Sequence, residues 1–183
     1  MSKAVIFLAE GHEECEALIP ADLLRRAGVE VVLASITGST AVTGSHGIHI
    51  TADALAEEVD LDSADLLFLP GGLPGTTHLA ESELVKNAIL SFHAQGKKIA
   101  AICAAPSIFG QLGLLEGKDA TSHPNFEDKL TGANVTGHEY DVAGNITTGR
   151  GLGAAIPFGL SLVAQLVNQE TADKIKNAIA YVH

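Results

Sequence analysis

Cys103 closes the apolar run Ile99-Ala100-Ala101-Ile102 and precedes Ala104-Ala105-Pro106, which puts a thiol where a short strand turns into a helix. A sulfur at the tip of such a turn cannot point into the core. The free amides at the start of the next helix favour thiolate over thiol, so the placement predicts a nucleophile with a lowered pKa. A nucleophile also needs a proton carrier and a place for developing negative charge. Glu16, in Cys15-Glu16-Ala17-Leu18-Ile19-Pro20, lies one turn into a predicted helix and projects toward the mouth of the sheet. Partial desolvation there should raise its pKa and let it share a proton with the sulfur. The segment Leu69-Pro70-Gly71-Gly72 places a glycine pair at the end of another strand. Amides in such a pair face a ligand without an intervening side chain, as an oxyanion site requires. His123, in Thr121-Ser122-His123-Pro124, would complete a Cys/His/carboxylate set, and the residues alone leave a structural role equally open.

The other reactive side chains have simpler readings. Glu13 and Glu14 fall in a first helical turn, where exposed amides favour acids, and are expected to be solvated. Cys15 reads as a small half-buried residue, with redox pairing to Cys103 as the alternative. No dedicated metal site is expected. His12 and Cys15 lack a second His or Cys cluster, the segment is not His-Glu-x-x-His, and His46 and His49 point to opposite faces of a strand region. Neither a Walker-type loop nor Gly-x-Gly-x-x-Gly follows the first strand, which disfavours nucleotide use. No cofactor is expected.

The elements that must position these groups are legible as apolar runs. Residues 4–9, 30–36, 65–69 and 98–102 are nearly continuous apolar segments, as strands of a parallel sheet covered on both faces should be. Residues 14–27, with Gly28 as the cap, and 84–94, ending before Gly96, carry helical spacing. Helices are expected over 152–168 and 170–182. The alternation predicts an α/β doubly wound sheet, with ligands beyond the carboxy ends of its strands, where the loops after Ala9, Leu69 and Ile102 fall. Residues 44–52 read as a strand or hairpin outside the main sheet, and 141–148, turning at Gly144-Asn145, as another hairpin.

At 183 residues and 46% hydrophobic content, one domain over 1–183 is expected. A formal net charge of −11 with no basic stretch argues against nucleic acid or an anionic membrane as partner. No apolar run reaches the roughly 18 residues of a membrane span, and the first residues lack the apolar stretch of a signal peptide. Two cysteines suit thiols in a reducing compartment, so a cytoplasmic protein is expected.

Taken in order, five motifs resemble the ThiJ/PfpI superfamily, most nearly its parkinsonism-associated (DJ-one) and YajL-type branch. They are Gly11-x-Glu13-Glu14-x-Glu16, Leu69-Pro70-Gly71-Gly72, Ala100-Ala101-Ile102-Cys103-Ala104-Ala105-Pro106, Ser122-His123-Pro124 and Gly149-Arg150-Gly151-x-Gly153. The resemblance spans essentially the whole chain. It implies a flavodoxin-like, three-layer sandwich with a mostly parallel sheet, and a homodimer. Position by position it makes Cys103 the reactive cysteine, Glu16 the acid bonded to it and His123 the nearby histidine. Gly71, Gly72 and Ala104 become the amide donors facing an oxyanion or an oxidised sulfur. The activities it implies are glutathione-independent glyoxalase, deglycase, redox sensor and chaperone.

Departures sharpen the reading. Relatives often carry arginine at the position of His46, reaching the partner subunit's site, so here that contact would be weaker or pH-dependent. Cys15 and Leu152 replace a methionine or threonine and a proline. Ala104 stands where a peptidase-like branch has histidine, and His123 is followed by Pro124-Asn125 rather than the His-x-Glu of amidotransferases; both activities are disfavoured. The leading expectation is a cofactor-free enzyme acting on small reactive dicarbonyls such as methylglyoxal, or on their early adducts. The alternative is a sensor or redox-regulated chaperone in which Cys103 is oxidised to a sulfinate.

Overall fold

The computed structural model describes residues 1–182. In chain order the elements are β1 (Lys3–Leu8), α1 (Glu14–Arg26), β2 (Glu30–Ser35), β3 (Ala41–Thr43), β4 (His49–Thr51), β5 (Ala54–Leu55), β6 (Leu66–Leu69), α2 (Gly75–Glu81) and α3 (Glu83–Ala94). There follow β7 (Lys98–Ile102), α4 (Pro106–Gln111), β8 (Asp119–Ala120), β9 (Asn134–Val135), β10 (Tyr140–Ala143), β11 (Ile146–Gly149), α5 (Ala155–Leu166) and α6 (Gln169–Ala178). Seven strands form one sheet in the order β10-β11-β7-β6-β1-β2-β5. Every neighbouring pair runs parallel except β10 and β11.

Strand alternation divides the core in two. Ala4, Ile6 and Leu8 of β1, Leu66 and Phe68 of β6, and Ala100 and Ile102 of β7 pack with α1 and α5. Their neighbours Val5, Phe7, Leu67, Leu69, Ile99 and Ala101 pack with Leu79, Val85, Ile89, Phe92, Ile108 and Phe109 on the other face. Because successive side chains point to opposite faces, a strand covered on both must be apolar at every position. The expected flavodoxin-like, mostly parallel three-layer arrangement is the one found.

Helix α1 carries the acid of the site, and its boundaries follow from local chemistry. Glu13 caps it by accepting the Glu16 N–H, Arg25 and Arg26 occupy its last turn, and Gly28 adopts φ 78° just beyond. The Gly28 N–H then donates to the Arg25 carbonyl and the Val29 N–H to the Leu24 carbonyl, closing the end as a Schellman turn. Pro20 interrupts the hydrogen-bond ladder inside this helix, yet the helix continues.

Several boundaries and placements differ from the sequence reading. The hairpin at 141–148 is β10–β11, and it belongs to the main sheet because β11 pairs with β7. The hairpin expected at 44–52 begins earlier, with β3, and its turn carries His46. The expected helix over 152–168 opens as a 3-10 turn at Leu152–Ala154, and that over 170–182 ends at Ala178. Ala180 there takes a positive φ, so the Tyr181 N–H folds back onto the Lys176 carbonyl.

Candidate active site

The loops after β1, β6 and β7 converge at the carboxy ends of three adjacent parallel strands. Cys103 follows β7 with φ 65°, a left-handed conformation that costs a non-glycine residue about 1–3 kcal/mol. Tertiary contacts hold it there. Its N–H donates to the Gly149 carbonyl at 2.9 Å, and its carbonyl accepts the His123 N–H at 2.8 Å. The elbow therefore ties the Cys103 backbone to β11 and to the His123 segment, while Sγ faces a pocket of about 410 Å³. Glu13, His46, Gly72, Ala104, His123 and Phe126 are among its other lining residues.

Glu16 is 1% exposed. Its Oε2 accepts the Gly71 N–H at 3.1 Å, the Leu152 N–H also points to the carboxyl, and the Cys103 thiol hydrogen-bonds to it. Gly71 is required by space: a Cβ there would lie 2.6 Å from Cys103 Cβ and 2.6 Å from Glu16 Oε2. A Cβ on Gly151 would stand 3.9 Å from each of Cys103 Sγ, Glu16 Oε1 and His123 Cδ2. The three side chains singled out in the sequence therefore surround one point, left open by a glycine.

The donors divide differently from expectation. The Gly72 and Ala104 amides face the sulfur, as anticipated, whereas the Gly71 amide is committed to Glu16. His123 Nδ1 accepts the Asn125 N–H at 3.3 Å, which leaves the proton of the neutral ring on Nε2. In that tautomer His123 is a donor from Nε2.

Electrostatics corrects the expected thiol. Burial, then the Glu16 carboxylate and its hydrogen bond, push Cys103 up to about 12, outweighing the Ala104 and Gly72 amides. Helix α4 has only six residues and begins at Pro106, so its field does not prevail over burial. Burial likewise pushes Glu16 up to about 7, with the Glu13 charge adding and the Cys103, Gly71 and Leu152 hydrogen bonds opposing. Between about 7 and about 12 the pair holds one proton, shared between oxygen and sulfur as a coupled system.

Three further readings change. Glu13 and Glu14 are 8% and 1% exposed, not solvated. Glu14 accepts from the His46 N–H, the His46 ring and the Ile48 N–H; although burial opposes it, these bonds hold its pKa down at about 2. Cys15 is exposed rather than half-buried and does not line the Cys103 pocket. His46 does line it; only the family resemblance had marked that position, and as a contact to the partner subunit's site. Gly151 and Leu152 were marked only by a motif and a departure from it, and their roles as an opening and an amide donor were not read, because a backbone donor leaves no signature in residue type.

An open, mainly parallel α/β sheet with a cysteine on a strand-to-helix elbow, bonded to a buried carboxyl, defines a flavodoxin-like protein with a cysteine elbow. The chain belongs to the DJ-1/PfpI family, which matches residues 2–165. It is 37% identical to Protein dj-1beta of Drosophila melanogaster over 182 residues, 98% of this chain and 97% of that one. It is also 37% identical to Protein DJ-1 homolog B of Arabidopsis thaliana over 97% of its length, but spans only 41% of that relative. Deglycase PYRAB04690 of Pyrococcus abyssi is 34% identical over 133 residues, 73% of this chain and 79% of the relative. The solved structure of oxidised Toxoplasma gondii DJ-1 superposes with a TM-score of 0.96 at 36% identity, covering all of both chains.

Proposed function

We propose that this chain is a cofactor-free glyoxalase or deglycase acting on small dicarbonyls such as methylglyoxal, or on their early adducts, in a reducing cytoplasm and as a homodimer. The observation that carries the reading is the Cys103–Glu16 pair, one proton between two buried groups, facing the Gly72 and Ala104 amides. A relative named as a deglycase supports it.

In the reactive tautomer the proton sits on Glu16 and the sulfur is a thiolate. Sulfur attacks the aldehyde carbon, and the new oxyanion, held by the two amides and the His123 donor, takes the Glu16 proton to give a hemithioacetal. The Glu16 carboxylate then removes the C1 proton while water gives a proton to the C2 oxygen, forming an enediol. Glu16 returns its proton to C2 and the C1 hydroxyl gives its proton back to the resulting hydroxide, which leaves a thioester. Water hydrolyses it to lactate and restores the thiol, so methylglyoxal and water are consumed in equal amounts. The form holding two protons has neither thiolate nor base, so activity should rise with pH as the pair loses its first proton near 7.

The test is lactate production from methylglyoxal without glutathione. Cys103→Ala should abolish it and Glu16→Gln nearly so; turnover surviving in the cysteine variant would remove the mechanism. A second reading draws on the relative solved in an oxidised form; in this chain, two equivalents of peroxide would convert Cys103 to a sulfinate beside protonated Glu16. Intact mass under mild peroxide separates the two readings. Two added oxygens on Cys103 with negligible turnover identify the sensor.

A further inference from the structure

His123 reaches the site on a segment that the main sheet does not hold by its own ladder. Strand β8 ends at Ala120, whose carbonyl accepts the Thr136 N–H, and the chain then turns away from β9. Thr121 is fully buried, so its N–H must find a partner inside the protein. It donates to Thr148 Oγ1 at 3.0 Å, and the Thr121 hydroxyl donates to the His138 carbonyl at 2.8 Å. Two residues on, the His123 N–H donates to the Cys103 carbonyl at 2.8 Å. Among the described residues, these three hydrogen bonds tie residues 121–123 to the elements around them.

The strand that supplies Thr148 also holds the nucleophile. Thr148 of β11 pairs with Ala101 of β7 and precedes Gly149, whose carbonyl accepts the Cys103 N–H at 2.9 Å. Adjacent residues of β11 therefore hold Cys103 by the backbone and the His123 segment by a side chain. Alternation puts Thr148 on the same face as Ile146, which belongs to one apolar cluster with Ala101 and Ala120. Thr148 is itself buried, and a hydroxyl in such surroundings is costly unless it is bonded. Valine would fill nearly the same space, so packing does not require the oxygen; the Thr121 N–H requires it.

We propose that Thr148 and Thr121 are positioning residues for His123, their hydroxyls forming a clamp that fixes the imidazole beside Cys103 and Glu16. The clamp joins β11 to the end of β8, and the Cys103 carbonyl closes the circuit. Cutting it frees the 121–123 backbone and lets the Nε2 donor drift from the oxyanion, where a misplacement of about 1 Å costs up to about a hundredfold in rate. The effect on turnover rests on the dicarbonyl reading, whereas the effect on the ring does not.

The test compares Thr148→Val, which keeps the shape and removes the acceptor, with Thr148→Ser, which keeps the acceptor. Circular dichroism checks folding, and Thr121→Val, which cuts the other arm, decides where Thr148→Val does not fold. Carbon-13 relaxation of the His123 ring in the full chain should show an ordered imidazole in the parent and in Thr148→Ser, and a mobile one in both valine variants. A ring equally ordered in all of them would overturn the proposal, whether or not the chain consumes methylglyoxal. Where lactate forms, Thr148→Val should lower kcat by about tenfold or more at nearly unchanged KM, and the loss should vanish in a His123→Ala background. A loss that persists without His123 would make Thr148 a residue of the fold alone and remove its positioning role. A parent chain that makes no lactate would dismiss the dicarbonyl reading and leave the ring measurement to decide the clamp.

Discussion

At the scale of single residues, Cys103 and Glu16 act as one titrating unit, and replacing one partner reads out the other. Burial, the Glu16 charge and its hydrogen bond raise Cys103, so Glu16→Gln removes two of the three and the thiol should titrate below about 12. Thiolate absorbance against pH measures this, and an unchanged value would mean that burial acts alone. The same substitution tests stability. Glu16 rises from 4.5 unfolded to about 7 folded, so between those values the folded chain binds more protons than the unfolded one. Its stability therefore falls as pH rises through that window, by about 3 kcal/mol in all. Glu16→Gln lacks this loss. It should be more stable than the parent above pH 7 and nearly equal to it below 4.5, as denaturant titrations at two pH values would show.

At the scale of elements, the site depends on how closely α5 approaches α1. Gly159 of α5 meets α1 where a Cβ would lie 2.8 Å from Leu23 Cδ1 and 3.2 Å from Pro20 Cα. Gly159→Ala should therefore destabilise the fold by about 1–3 kcal/mol by overpacking, measured as a lower midpoint in urea. Because Glu16 rides on α1 and the Leu152 amide precedes α5, the variant should also slow the Cys103 reaction. An unaffected midpoint would show that the helices separate without cost. The apolar strands and the Gly28 and Gly96 stops were readable beforehand because they are local consequences of composition. Membership of β10–β11 in the main sheet was not, since β11 pairs with β7 only across the fold.

At the scale of the whole molecule, Leu18, Ile48 and Leu152 remain 38%, 52% and 48% exposed. We expect a second copy to cover Leu152 beside the site. Sedimentation should give a dimer for the parent chain and a monomer for Leu152→Glu; a monomeric parent would dismiss the expectation. The sequence by itself determined the doubly wound class, the elbow cysteine, the acid one turn into α1 and the glycine pair. Each is a local pattern, an apolar run or a residue type beside a turn, that survives without knowledge of distant contacts. Tertiary structure alone decided the direction of the Cys103 pKa, the assignment of the Gly71 amide to Glu16, and the meeting of His46 with Glu13 and Glu14. Those depend on burial and on approaches between segments more than thirty residues apart, such as the 32 between Glu14 and His46 and the 55 between Glu16 and Gly71. Desolvation and through-space charge are set by what the folded chain brings near a group, which spacing along the chain does not encode.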